Sequence, residues 1–191
     1  NKLKLTIPFV DEGSREETYY SDLEIIKTNG RMGLVNIETG VSIIPAIYDN
    51  VHQFDYGEPF DFFRVADGST CYSKDCKEGF DTRRLYGGMQ GVVNIQGENI
   101  VPQQYQRVEI LVYYPDKPIF LAYILRDLHL SWGEPLLGSQ YLKVRFDERN
   151  SEIHIYSSKG MVITKLNYTE ESKIYDKKSK IKELIDDALL L

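Results

Sequence analysis

The residues best suited to metal or nucleophilic chemistry are Cys71, Cys76, His52, His129 and His154. Both cysteines stand in one polar stretch, Thr70-Cys-Tyr-Ser-Lys-Asp-Cys-Lys77, with no histidine near them in the sequence. A structural zinc takes four nitrogen or sulfur ligands, so this set does not make a metal site. A cysteine nucleophile needs a base beside it, and the three histidines are scattered singly among apolar and aromatic residues. The chain has no phosphate loop ending in Lys-Ser or Lys-Thr, no G-x-S-x-G elbow and no H-E-x-x-H pair. Its 29 carboxylates are plentiful, but their spacing selects no acid–base couple. The expectation is a non-enzymatic protein with no catalytic residue, no metal and no cofactor.

Binding chemistry is easier to find. Residues 49–61 carry Asp49, Asp55, Glu58 and Asp61 without a Lys or Arg, interleaved with Phe54, Tyr56 and Phe60. Acids steer a basic partner and aromatic rings anchor it once docked. We therefore take Asp49, Asp55, Tyr56, Glu58, Phe60 and Asp61 as candidate partner-binding residues; the alternative is a loop whose rings face inward. A weaker patch of the same kind spans residues 16–22. The formal net charge of −6 opposes nucleic-acid binding, which needs a basic stripe to displace counterions. The one concentrated basic run, residues 173–182, reads as a solvated helix face. The longest apolar run, residues 119–125, is strand length, so no membrane span is expected.

The elements that must position these residues are short strands. Fourteen tyrosines within a 12% aromatic fraction favour pleated surfaces. The stretch Gly33-Leu-Val-Asn-Ile-Glu-Thr-Gly-Val-Ser-Ile-Ile-Pro-Ala-Ile-Tyr48 returns as Gly91-Val-Val-Asn-Ile-Gln-Gly-Glu-Asn-Ile-Val-Pro-Gln-Gln-Tyr105. With one gap, Gly33, Gly40, Pro45 and Tyr48 match Gly91, Gly97, Pro102 and Tyr105. Each copy reads as a hairpin: aliphatic strand, glycine turn, return strand, then a proline that cannot donate to the ladder. The tyrosine is expected to fold back with its ring in the core and its hydroxyl at a turn. A degenerate third copy spans residues 153–168, with Lys165 for the proline and Ile153 for the leading glycine. Residues 140–146 alternate as a strand and are expected to pair, through a turn at 147–151, with residues 152–156. Residues 2–9 also read as a strand. Residues 179–190 place Ile181, Leu184, Ile185, Ala188 and Leu189 on one helical face, suited to covering an end of the β-structure.

The order Gly-x-x-Gly, two hydrophobics, Asn, hydrophobic, turn glycine, β-branched pair, Pro, x-x-Tyr resembles the bacterial WG repeat. It appears from Gly30 to Tyr48 and from Gly88 to Tyr105, with Met32 and Gln90 in the place of the family's tryptophan. The Asp that usually follows the Tyr is Asp49 in one copy and Gln106 in the other. The resemblance implies one mainly all-β domain over residues 1–191, an antiparallel hairpin-repeat array with a C-terminal helix. Repeats then fall at about 30–51, 88–108 and 153–168, with insertions at 66–84 and 109–139. It also implies a protein-binding module. A small acidic member without chemistry resembles an immunity protein, which neutralises a basic bacterial toxin in the cytoplasm. The alternative is an exported or cell-envelope binding protein, in which Cys71 and Cys76 would be bridged.

Overall fold

The structure, a computed structural model, describes residues 16–18, 20–55, 59–71, 85–111, 118–132 and 142–169. The N-terminal strand expected at 2–9 and the helix expected at 179–190 lie outside them, as do Cys76 and the side chain of Cys71. The described residues are all-β and antiparallel. They form sixteen strands, most of five to seven residues, the length that short alternating runs between glycine turns allow.

Three four-stranded sheets carry the fold. The first runs in chain order through β1 (Glu16–Glu17), β2 (Leu23–Thr28), β3 (Arg31–Asn36) and β4 (Ser42–Tyr48). The second is β5 (Asn50–Asp55), β6 (Pro59–Asp67), β9 (Met89–Asn94) and β10 (Asn99–Tyr105). The third is β11 (Arg107–Leu111), β12 (Ile119–Ile124), β15 (Glu152–Tyr156) and β16 (Val162–Asn167). In each sheet every strand pairs with the one before it, apart from one excursion in the second sheet and one in the third. Between the second and third strands of the second sheet the chain leaves to make the ribbon β7 (Thr70–Cys71) and β8 (Leu85–Tyr86). From the same link of the third sheet it makes β13 (His129–Trp132) and β14 (Leu142–Arg145). The first sheet closes that link with a two-residue turn, Asn29-Gly30, whose φ angles of 51° and 77° suit a hairpin.

Two details differ from the sequence reading. β14 pairs with β13, not with β15, because residues 147–151 redirect the chain instead of reversing it: Asp147 N–H donates to Arg126 and Tyr168 N–H to Ser151. β6 continues through Asp67, with Ala66 fully buried, so the first excursion begins later than residue 66.

The two matched hairpins share the same register shifts, with the first turn one residue longer than the second. In the first, Val35 faces Ser42, Leu34 faces Ile44 and Met32 faces Tyr48. In the second, Val93 faces Asn99, Val92 faces Val101 and Gln90 faces Tyr105. The return strand thus gains one residue near the turn and two more around the proline, in both cases. A Cβ on Gly33 would lie 2.6 Å from Ile44 O and 2.7 Å from Ala46 N; one on Gly91 would lie 2.7 Å from Val101 O and 2.9 Å from Gln103 N. Glycine is required because the bulge folds the opposite backbone into the space a side chain would occupy. In the third hairpin the near-turn shift remains, between Ile155↔Thr164 and Tyr156↔Val162, and the pairing then stays in step to Glu152↔Asn167. The residue in the glycine's place there is His154 by register, not Ile153, and the proline's place holds Lys165.

Successive sheets stack by a repeated contact. A Cβ on Gly97, in the second turn, would lie 2.9 Å from Ile43 O on β4; one on Gly160, in the third turn, would lie 3.1 Å from Ile100 O on β10. Leu23, Ile25, Leu34 and Ile44 of the first sheet meet Val51, Phe63, Val65 and Val93 of the second. Phe54, Val92, Val101 and Tyr105 of the second meet Val108, Ile110, Phe120 and Tyr156 of the third. The far face of the third sheet, with Leu121, Ile153 and Ile155, packs against Leu128 and Phe146 at the ends of the β13–β14 ribbon and against Tyr168. Each such large side chain buried contributes about 1.5–3 kcal/mol.

Gly33→Ala and Gly91→Ala should each destabilise by about 2 kcal/mol or more in urea unfolding, since the added methyl meets backbone that cannot swing aside. Gly30, at the open β2–β3 turn, has nothing within 4 Å of its virtual Cβ. Gly30→Ala should cost only the positive-φ strain, about 1–2 kcal/mol. Equal losses at all three positions would remove the close-approach argument.

Candidate functional site

The glycine turns of the three sheets lie along one end of the molecule, because each turn sits on the return strand of the sheet before it. One side chain builds each turn. Asn36 Oδ1 accepts the N–H groups of Glu38 (3.1 Å) and Thr39 (2.9 Å). Asn94 Oδ1 accepts those of Gln96 (3.1 Å) and Glu98 (2.8 Å). Ser157 Oγ accepts those of Lys159 (3.3 Å) and Met161 (3.2 Å). Short polar side chains bonding their own backbone a few residues on are what make such turns. Gly40, Gly97 and Gly160 supply φ angles of 72°, 81° and 78°.

The same asparagines aim carboxylates outward. Asn36 Nδ2 donates to Asp22 Oδ2 at 2.7 Å, and Asn94 Nδ2 to Glu98 Oε2 at 2.7 Å. The N–H of Ile37 binds Asp22 O, and the N–H of Ile95 binds Asp61 O, which seats Asp22 beside the first turn and Asp61 beside the second. The Tyr20 hydroxyl donates to Asp61 Oδ1 and ties the first sheet to the second. Partial burial, then the hydrogen bond and negative charge of Asp61, push the Tyr20 phenol up to about 12. Asp22, Glu38, Asp61 and Glu98 therefore share one edge. Among the described residues at this end of the first two sheets there is no Lys or Arg. The third turn reverses the sign with Lys159.

Apolar groups accompany the charge. Six large hydrophobic side chains are exposed among the described residues, and four of them are here: Ile37 (46%) and Val41 (57%) at the first turn, Met161 (60%) and Val162 (47%) at the third.

Of the residues singled out from the sequence, Asp61 belongs to this edge and the backbone of Asp55 lies beside it at the tip of the β5–β6 hairpin. Tyr56 and Glu58 lie outside the described residues, as do the side chains of Asp55 and Phe60. Asp49 lies apart. It sits at the Asp67 end of β6, six residues from Asp61, or roughly 20 Å along a strand. There Asp49 Oδ2 accepts the N–H of Gly68 (2.8 Å) and Asp49 Oδ1 the Arg31 guanidinium (2.6 Å). Gln106 does the equivalent work in the next sheet, accepting the N–H of Leu125 at 2.9 Å. Phe54 faces inward and is buried. Asp22 ends the weaker patch at residues 16–22, and the sequence reading missed Glu38, Glu98, Ile37 and Val41; their signal was their position in or beside a repeated glycine turn.

One buried polar cluster resembles a proton relay. Tyr105 Oη lies 2.8 Å from His154 Nδ1 and 2.6 Å from Tyr156 Oη, and His154 Nε2 lies 3.2 Å from Glu152 Oε1. Tyr105 is fully buried, with its hydroxyl in this cluster instead of at a turn, whereas Tyr48 is half-buried. Burial, then the Tyr105 hydrogen bond, push the Tyr156 phenol above its ordinary range, and the bond between the two hydroxyls joins the second sheet to the third. Among the described residues no group of three or more His, Cys, Asp or Glu side chains is placed to hold a metal ion. No helix among them is long and apolar enough to cross a membrane.

The raised Tyr20 pKa has a defined sign. Its stabilising effect is full below pH 10, the ordinary phenol value, and is lost as the pH rises through about 12. In a phenolate absorbance titration of the native protein, Tyr20→Phe should remove one tyrosine from the late-titrating fraction. Loss of an early-titrating one instead would contradict the Asp61 contact.

No family model, curated protein or solved structure matches this chain.

Proposed function

We propose that this chain is a non-catalytic protein-binding module, most specifically an immunity protein that binds and neutralises a basic bacterial toxin domain in the cytoplasm. The observation that carries the reading is the turn edge of the first two sheets. It presents Asp22, Glu38, Asp61 and Glu98 with no Lys or Arg between them among the described residues, next to exposed Ile37 and Val41. Aligned carboxylates speed and orient the approach of a basic surface, and the apolar pair gives that surface something to bury. Hydrogen bonds from Asn36 and Asn94 hold two of these acids in place, so less side-chain freedom is lost on docking.

The fold reading belongs to the same proposal. The chain is a divergent WG-repeat array of three units, with the matched register shifts of the first two hairpins as its support and the third unit relaxed where His154 and Lys165 replace glycine and proline. The basic partner meets the array on its turn edge. It does not use Asp49, whose carboxylate serves the corner between the first two units.

Titration calorimetry against basic toxin domains encoded beside this chain should show tight, salt-weakened binding. Glu38→Lys with Glu98→Lys should weaken it by tenfold or more, about 1.4 kcal/mol or above, while Arg31→Ala at the other end leaves it unchanged. Binding that ignores both salt and the double substitution would sink the acidic-edge reading.

A further inference from the structure

The chain has eight asparagines, and one of them, Asn29, is followed by glycine. Asn36 and Asn94 have both side-chain polar atoms engaged and precede Ile37 and Ile95. Asn150 donates to Asp147 and precedes the buried Ser151. Asn50, Asn99 and Asn167 lie in strands and precede Val51, Ile100 and Tyr168. Asn29 differs from all of these. It and Gly30 are exposed in the β2–β3 turn, with nothing within 4 Å of a virtual Cβ on Gly30. Among the described residues neither the Asn29 side-chain amide nor the Gly30 N–H makes a hydrogen bond. Asn29 also holds a φ of 51°, a region that disfavours any residue with a side chain.

We infer that Asn29 is a modification site, where the chain deamidates through its own backbone with water as the co-reactant. The Gly30 nitrogen gives its proton to hydroxide and attacks Asn29 Cγ. The N–Cγ bond forms, the Cγ–Nδ2 bond breaks, and ammonia leaves with a proton from water, closing a five-membered succinimide. Water then opens the ring. Attack at Cγ gives aspartate; attack at the main-chain carbonyl gives isoaspartate, with the backbone rerouted through the side chain. Glycine permits the closure because it brings no Cβ to crowd the approaching nitrogen. The Asn29 backbone must rotate out of its turn conformation, and that motion breaks no packed contact. Isoaspartate adds a backbone atom to a two-residue turn whose length fixes the pairing of Thr28 with Arg31. Either product places a new carboxylate two residues from Arg31, which bridges Asp49 at 2.6 Å and Asp67 at 3.0 Å. The modification therefore loosens the corner between the first two sheets. Asp22 stands at the other end of β2, roughly 20 Å away, so the acidic turn edge is left as it was.

The whole chain, held folded for weeks in mildly alkaline buffer, should release one ammonia per chain and gain the small mass of an amide-to-acid exchange. The rate should rise in proportion to hydroxide. Trypsin, cutting after Lys27 and Arg31, should place the change in residues 28–31, mostly as isoaspartate. Asn29→Gln, whose longer side chain closes a five-membered ring poorly, should abolish the ammonia release. Gly30→Ala should slow it severalfold, and circular dichroism will establish that both variants fold. Separated by ion exchange, the modified chain should unfold at lower urea than the fresh one. No mass gain overturns the inference, as does a gain that appears first at another asparagine or that survives Asn29→Gln. Equal urea midpoints would remove the loosened corner. Binding to basic domains plays no part in these readouts, so the toxin reading stands or falls separately.

Discussion

A strand cannot gain two residues over its neighbour unless the neighbour makes room, and the room here is the missing Cβ of Gly33 and Gly91. The bulged backbones of residues 44–46 and 101–103 press into that space at distances no side chain would permit. Much follows from this contact. The bulge gives Pro45 and Pro102 a place where no donor is required, and it carries the chain on to Tyr48 and Tyr105 at the ends of the return strands. From there Asp49 and Gln106 start the following sheets. Sheet stacking depends on this geometry, because each return strand must offer its carbonyl, Ile43 or Ile100, to the next glycine turn.

The third sheet shows what happens without the constraint. His154 stands where glycine stood, the two-residue bulge is gone, and β15 and β16 run in step. The imidazole is directed at Tyr105 of the second sheet, where the first junction has an apolar contact through Val93. Gln90 also works as a connector. It is fully buried, donates to the carbonyls of Leu85 and Gln106, and accepts the N–H of Val108. Gln90 and His154 are thus polar joints within the core, held by these bonds because a buried unpaired polar group is destabilising.

Much of the architecture was legible in the sequence because glycine, proline and tyrosine are confined by backbone geometry, which leaves fixed spacings behind. The hairpins at 33–48 and 91–105, their turns and the antiparallel class all came from those spacings. Partner choice between distant strands leaves no such mark, and β14 was accordingly assigned to β15 when it pairs with β13. The candidate surface was legible only in part for a related reason. Asp49 and Asp61 are neighbours in the text but sit at opposite ends of β6, whereas Glu38 and Glu98 are sixty residues apart and share an edge. Contiguity in sequence is a poor guide to a face assembled from successive turns.

The Asn29-Gly30 turn has a consequence for how such a chain can grow. It occupies the link from which the second and third sheets each send out an extra ribbon, and it shows that the sheet closes equally well with nothing there. That link behaves as a socket: the flanking strands pair with each other whatever is spliced between them. Variation in length can therefore accumulate at one side of the molecule without disturbing the carboxylates displayed at the other, and a designer wishing to graft a foreign loop would choose the same point.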